Sequence, residues 1–233
     1  MTTSPALQSV EDVLSSAGVN PETGLTSAEA AARLASHGSN ELRSQPREPA
    51  WRRFLRQFAD PLVYLLFGAM AISLGAWFLE GTHGVPIDVV VILLIVLANA
   101  ILGFVQENRA ADAVAALADM TAARATVLRD GRLVTVAAAE LVPGDILVLG
   151  EGDAVAADAR LLSASSLQVQ EASLTGESEA VTKSVAPLSE LGSLGDRHNM
   201  VFKGTAVARG VGRAVVTETG MDTQMGHIAT LLD

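Results

Sequence analysis

Cysteine is absent from the 233 residues, so neither a disulfide framework nor a cysteine-based metal or redox centre is available. Histidine is scarce. His37, His83, His198 and His227 are scattered, without the clustering that metal ligands need, and each reads as a solvated or hydrogen-bonded side chain. Positive charge is in the minority: 16 Lys and Arg stand against 26 Asp and Glu, for a net charge of −10. That balance excludes the basic face of a nucleic-acid binder, so no nucleic-acid partner is expected. The start, MTTSPALQSVEDV, has no basic residues leading into an apolar run and is not read as a signal peptide. No G-x-x-x-x-G-K-[ST] loop is present to cradle nucleotide phosphates.

What the chain does have is hydrocarbon, gathered in its middle. Hydrophobic residues make up 49% of the sequence, and PLVYLLFGAMAISLGAWFL is uncharged from Pro61 to Leu79. VVVILLIVLANAILGFV then runs from Val89 to Val105, with Asn99 as its strongly polar residue. At about 1.5 Å of rise per residue, each run is near the lower length for crossing a bilayer. Val85 to Ile87 lengthen the second. Two buried core helices are the soluble alternative. Arg43, Arg47, Arg52, Arg53 and Arg56 precede the first run and Arg109 follows the second. The connection EGTHGVPID holds Glu80 and Asp88 and no Lys or Arg. The positive-inside rule therefore predicts both ends in the cytoplasm and the connection outside. Trp51 and Phe54 fall near the inner boundary, Trp77 and Phe78 near the outer. A transmembrane hairpin is the expectation.

Around the hairpin the pattern is soluble. In GLTSAEAAARLASHGSNEL, Thr26 can cap a helix while Glu29 reaches back to the cap amide, and Gly38 is a natural stop. An earlier helix is predicted from about Val10 to Ser16, packed against it, and PREP (Pro46 to Pro49) breaks the chain before the membrane. After Val105, QENRAADAVAALADMTA contains neither proline nor glycine, which predicts that the second span continues as a stalk. Ala110, Ala111, Val114, Ala115 and Ala118 give that stalk a small-residue stripe. From Ala125 the runs become short and β-like. Asp130-Gly131 between two apolar runs signals a tight hairpin. ILVL, SLQVQEASLTG, NMVFKGTAV and GRAVVTETG read as further strands between turns, which suggests a compact sandwich or barrel-like domain.

One turn raises a chemical question. SLTGESEAVTK, Ser173 to Lys183, carries Thr-Gly-Glu-Ser, and taken alone such a turn reads as a solvated loop. Glycine also lets the backbone approach a partner closely, and a carboxylate at the tip could orient water or take its proton during hydrolysis of an acyl phosphate.

The flanking sequence supplies context. LVPGDILVLGEGDAVAADARLL, VQEASLTGESEAVTK and NMVFKGTAVARGVGRAVVTETGMDTQMGHIA, in that order, resemble the actuator domain of P-type cation-transporting ATPases. ANAILGFVQENRAADAVAAL is similar to the family's second transmembrane helix and stalk, and GLTSAEAAARLASHGSNEL to its cation-transporter N-terminal segment. The likeness is collinear from about Val10 to the end of the chain. It implies that Thr175, Gly176, Glu177 and Ser178 form the catalytic loop that reaches a phosphorylated aspartate. Glu177 would position and activate the attacking water, and Thr175 and Gly176 would shape its approach. Pro143, Gly144, Asp145, Gly152, Asp153, Asp158 and Glu171 match other blocks of the family pattern, with turn and fold geometry as their expected role. Ala156 and Ala180 stand where family members often carry proline. That departure frees φ without removing a reacting group.

The resemblance also implies what lies elsewhere. The family's Asp-Lys-Thr-Gly phosphorylation motif does not occur in these residues, and neither do the nucleotide-binding domain and the later membrane helices. No Asp or Glu lies between Leu62 and Leu79 or between Val89 and Val105, so no ion site is expected in the hairpin. Asn99 is expected to bond or pack between helices. The fold class expected is an α+β membrane protein. It comprises a cation-transporter N-terminal helical segment (1–45), a basic juxtamembrane segment (46–60) and transmembrane helices at 61–80 and 86–106 about an outer loop (81–85). A cytoplasmic stalk (107–124) and a β-rich, distorted sandwich or jelly-roll-like actuator domain (125–233) complete it.

The implied function is one part of an ATP-driven pump of the calcium-pump and sodium/potassium-pump branch, multi-pass in the cell membrane, with calcium the first choice of cation. Its partners would be membrane lipid, the rest of the pump and the transported cation. ATP and Mg2+ would serve the complete pump, this chain would hold no cofactor or metal, and it would be inactive alone. Two alternatives stay open: a non-enzymatic membrane module that docks on a complete pump, and a truncated product.

Overall fold

The computed structural model describes residues 4–42, 48–79, 81, 84–120 and 123–232. Arg43, Arg47 and Glu80, used above to orient the hairpin, lie outside the described residues, as do His83 and the side chains of Val114, Ala115 and Ala118. The chain divides into two compact units, one drawn from Met1–Ser44 and Ala122–Asp233, the other from Gln45–Thr121.

The N-terminal helices form where their caps dictate. Ser9 accepts the Asp12 amide at 3.1 Å and starts α1 (Val10–Ala17), which closes on Gly18 in the left-handed region at φ 61°. Thr26 and Glu29 make the expected reciprocal box. The Thr26 hydroxyl accepts the Glu29 amide at 3.2 Å, and the Glu29 carboxylate accepts the Thr26 amide at 3.0 Å. Helix α2 (Ser27–His37) follows and stops at Gly38.

In the second unit, α3 (Ala50–Arg56) was not anticipated from PREP, which reads as a break. Pro49 sits at its N-cap with φ −59°, a position where the missing N–H interrupts no helical bond. Helices α4 (Pro61–Leu79) and α5 (Ile87–Met120) form the hairpin. At 34 residues α5 is unbroken and about 50 Å long, so the second apolar run and the stalk are one helix. Val63, Val96 and Ala100 are buried, while Leu65, Ile72, Leu94 and Leu102 are exposed. Exposed hydrocarbon over this length does not fit a soluble core. Both helices are long and apolar enough to cross a membrane. At one end Phe54 meets Phe104 edge-on at 5.8 Å, and Gln57 donates to Glu107 at 2.7 Å.

Strands β1 (Arg124–Arg129) and β2 (Arg132–Ala137) pair about Asp130 and Gly131, at φ 51° and 70°. Both are left-handed, as this two-residue turn requires. Next come β3 (Ile146–Leu149), β4 (Asp158–Gln170), the single turn α6 (Ala172–Thr175), β5 (Ala180–Thr182), β6 (Met200–Val201), β7 (Ala206–Glu218) and α7 (Gln224–Leu232). The strands make one antiparallel sheet in the order β2-β1-β3-β7-β4-β5, with β6 also on β4. Sequence reading cuts the two 13-residue strands, β4 and β7, into shorter pieces. Gly210 reads as a turn, but it lies inside β7 at φ 82° opposite a register shift. A Cβ there would stand 2.3 Å from the Ser166 carbonyl oxygen. The glycine marks a bulge that bends a strand instead of ending it.

Register explains why ILVL shows no alternation. Val127, Leu147 and Ala214 align across β1, β3 and β7 and enter the main core. Their neighbours Leu128, Ile146 and Val215 align on the opposite face, under Val13, Leu25 and Ala30 of the N-terminal segment. A strand covered on both faces reads as continuously apolar.

Polar side chains fasten the same junction. Asn40 donates to the Ala138 and Ala156 carbonyls at 2.9 Å and accepts the Gly220 amide at 2.8 Å and the Lys203 ammonium at 2.9 Å. Arg160, wholly buried, donates to the carbonyls of Pro5, Gln8, Leu161, Val185 and Asn199 at 2.7–3.3 Å.

Candidate functional site

Strand β4 ends at Gln170, and its partner β5 returns at Ala180 directly opposite. The chain between them is therefore a loop pinned at its base. Within it, the Glu171 carbonyl accepts the amides of Leu174 and Thr175 at 2.9 and 3.0 Å and the Thr175 hydroxyl at 3.1 Å. These bonds wind α6. The Thr175 hydroxyl oxygen in turn accepts the Glu177 amide at 3.3 Å. Ser173 donates to the Gly204 carbonyl at 2.8 Å, and Leu174 packs on a small cluster of Ala6, Met200 and Phe202.

Gly176 caps α6 in the left-handed region at φ 78°, and a Cβ there would meet nothing within 4 Å. Backbone conformation, not crowding, is what calls for glycine at this point. Glu177, Ser178 and Glu179 are exposed beyond it. Among the described residues the Glu177 carboxylate makes no hydrogen bond or ion pair. The four expected site residues thus share one tip: Thr175 half-buried beneath, and Gly176, Glu177 and Ser178 in the open.

Beneath the tip lies a buried charge pair. Lys183 Nζ stands 2.6 Å from Glu171 Oε1, with side-chain exposures of 0% and 1%. Burial pushes the Glu171 carboxyl up and the Lys183 ammonium down, and the opposite charge of each opposes the other's shift. The remaining matched residues hold the fold. Gly144 takes φ 95° in the turn before β3, and Asp145 accepts from Arg129 at 2.6 and 2.8 Å and from the Val142 amide at 3.0 Å. Asp153 accepts the Gly150 amide at 2.8 Å, and Gly152 turns at φ 86°. Buried Asp158 accepts the Lys203 and Gln224 amides at 2.8 and 2.7 Å, and desolvation raises its pKa.

No three His, Cys, Asp or Glu side chains gather as a metal site among the described residues.

The sequence profile of the P-type ATPase actuator domain matches residues 119–233, and that of the cation transporter/ATPase N-terminus matches residues 5–73. The chain belongs to the P-type ATPases. A calcium-transporting ATPase of Listeria monocytogenes is 41% identical over 212 residues, covering 91% of this chain and 23% of that protein. A cation-transporting ATPase of Synechocystis is 41% identical over 225 residues, covering 96% of this chain and 24% of its own length. An endoplasmic reticulum-type calcium-transporting ATPase of Arabidopsis thaliana is 40% identical over 220 residues, covering 91% of this chain and 21% of the relative. The chain therefore spans about a quarter of the curated relatives it matches. The strands β1 to β7 lie within the residues that match the actuator domain, and α4 and α5 are candidate membrane spans.

Sequence reasoning named buried Asp145, Asp158 and Glu171 but missed Arg160, Asn40 and Lys183. Arg160 and Asn40 find partners far along the chain, and Lys183 finds Glu171 across the loop. One signal was present for Lys183, a single cation at the end of the short apolar strand AVT.

Proposed function

We propose that this chain supplies the actuator and first two membrane helices of an ATP-driven cation pump, and that Glu177 promotes hydrolysis of the pump's aspartyl phosphate. The free Glu177 carboxylate carries the reading: it stands exposed past a left-handed glycine, with its backbone fixed through Thr175. In the proposed step this carboxylate takes a proton from water as the water oxygen attacks phosphorus. The bond from phosphorus to the aspartyl oxygen breaks, releasing inorganic phosphate and a free aspartate. Thr175 and Gly176 shape the loop's approach, and Ser178 completes it. ATP, Mg2+ and the phosphorylated aspartate belong to the remainder of the pump, so the isolated chain is inactive. Calcium is the proposed cation, on the strength of relatives named as calcium transporters.

The proposed location is the cell membrane, with both ends and the actuator cytoplasmic. One compact unit is built from residues on either side of the hairpin, and two spans return a chain to the side it left. Arg52, Arg53 and Arg56 before the first span and Arg109 after the second mark that side as the inner one. The unbroken helix α5 suits a lever by which actuator rotation pulls on the membrane segment.

The test is phosphoenzyme turnover in a complete pump carrying this segment. Glu177→Ala should let the phosphoenzyme form but slow its decay by about 10²-fold or more, the size of a general-base contribution. Decay at the native rate would sink the assignment.

A further inference from the structure

We propose that Lys183 is a positioning residue for the Thr175–Ser178 loop, acting through its buried ion pair with Glu171. The inference rests on the reading of Glu177 given above.

The pair is a costly arrangement for stability alone. Both side chains are essentially without solvent, at 0% and 1% exposure. By hydrogen-bond geometry neither Glu171 oxygen nor Lys183 Nζ is satisfied among the described residues, so the two are held to each other as an ion pair. The only other support for the ammonium among those residues is the Phe202 ring, whose centroid lies 5.8 Å from Nζ, a cation–π distance. Buried ion pairs can often be replaced by apolar residues of similar volume without loss of stability. A reason for keeping the charges is therefore to be sought in where they stand.

They stand at the two feet of the loop. Glu171 directly follows β4, and Lys183 directly follows β5. The Lys183 amide donates to the Leu167 carbonyl at 2.9 Å, which anchors the lysine backbone to β4. From there a chain of bonds leads to the tip. The ammonium holds the Glu171 carboxylate, and the Glu171 carbonyl holds the amides of Leu174 and Thr175 and the Thr175 hydroxyl. The Thr175 hydroxyl oxygen then holds the Glu177 amide. Glu171 is thus the acceptor from which α6 hangs, and Lys183 sets its depth. A Cβ at Gly176 would meet nothing within 4 Å, so the tip itself is open. Ser173 on Gly204 and Leu174 on Ala6, Met200 and Phe202 hold the middle of the loop. The internal chain from Glu171 adds the link that runs to the Glu177 amide.

Hydrogen exchange on the 233-residue chain in lipid nanodiscs tests the idea. The variants are Glu171→Gln with Lys183→Met, which removes both charges, and Lys183→Arg, which keeps the pair. The double variant should retain the native denaturation midpoint and native exchange in β1 and β3. Exchange at the Thr175, Gly176 and Glu177 amides should rise about tenfold or more. Lys183→Arg should stay within about threefold of the native loop. Unchanged loop exchange in the double variant overturns the proposal. So does a rise shared equally by β1 and β3, or failure to fold, since either makes the pair structural only.

In a complete pump the double variant should slow phosphoenzyme decay about tenfold, and Lys183→Arg should restore it. Loop exchange that responds as expected, beside normal decay in Glu177→Ala, would refute the role of Glu177 and leave the positioning of the loop intact.

Discussion

In the actuator unit the buried groups include Arg160, Glu171, Lys183, Asp145 and Asp158, whereas the helical hairpin buries Val63, Val96 and Ala100 and turns Leu65, Ile72, Leu94 and Leu102 outward. The two units are inverted with respect to each other because they are built for different solvents. In water, charge can be enclosed only where every polar atom is matched, and most buried charges of the actuator unit are: Arg160 by five carbonyls, Asp145 by Arg129 and an amide. Among the described residues matching is incomplete at the Glu171–Lys183 pair, as it is at Arg197 Nε and Asn199 Oδ1, and the pair stands at the base of the exposed loop. In hydrocarbon no such matching is needed, and side chains can be apolar all round.

The contrast breaks most severely if the enclosed charge of the actuator unit is replaced by hydrocarbon without removing what it served. Arg160→Met should cost about 3–5 kcal/mol, because carbonyls from four separate segments lose their donor together. Urea denaturation followed by far-ultraviolet circular dichroism reads the loss, and a midpoint within error of native would refute it. The converse change puts charge into the hairpin. Ile72→Arg, at a side chain 76% exposed, should oppose membrane insertion by about 2.5–3.5 kcal/mol. A translocation assay would show reduced insertion, while the denaturation midpoint of the actuator unit should not move.

A pH titration sharpens the contrast with the smallest effect. Desolvation raises the carboxyl pKa of both Asp158 and Glu218, and Asp158 raises Glu218 further. Both groups bind protons more tightly folded than unfolded. Their contribution is therefore fully present below the unfolded carboxylate value of about 4 and is lost as pH rises through the raised folded values. Glu218→Gln should make the fall of stability with rising pH shallower over that window. Urea midpoints at several pH values decide it, and an unchanged slope would remove Glu218 from the account.

The same division governs what could be read from the sequence. Local devices were legible: the Thr26–Glu29 box, the Asp130-Gly131 hairpin, the two apolar spans and the continuation of α5 past the second. Each depends on residues a few positions apart. Pro49 misled because proline signals a helix start as well as a break, and α3 began there. Gly210 misled because glycine serves a bulge as readily as a turn. At the site, the Thr-Gly-Glu-Ser residues could be named from sequence, but their support could not. The base of the loop is set by a pairing between Glu171 and Lys183 and by Ala6, nearly 170 positions before Leu174, and no periodicity or spacing announces contacts of that kind.

The actuator unit is also discontinuous, and that sets an order of events at the ribosome. Its first portion, with α1, α2 and the segment clasped by Arg160, is synthesised before the hairpin, while its strands come after. At about 5–20 residues per second, on the order of ten seconds separate the emergence of Pro5 and Gln8 from that of Val185 and Asn199, their partners around Arg160. Throughout that interval Val13, Leu25 and Ala30 have no sheet to cover, and the two spans are already available for insertion. The nascent chain must commit its hydrocarbon to lipid while the first portion of the actuator unit, Met1–Ser44, waits for the larger portion that completes it.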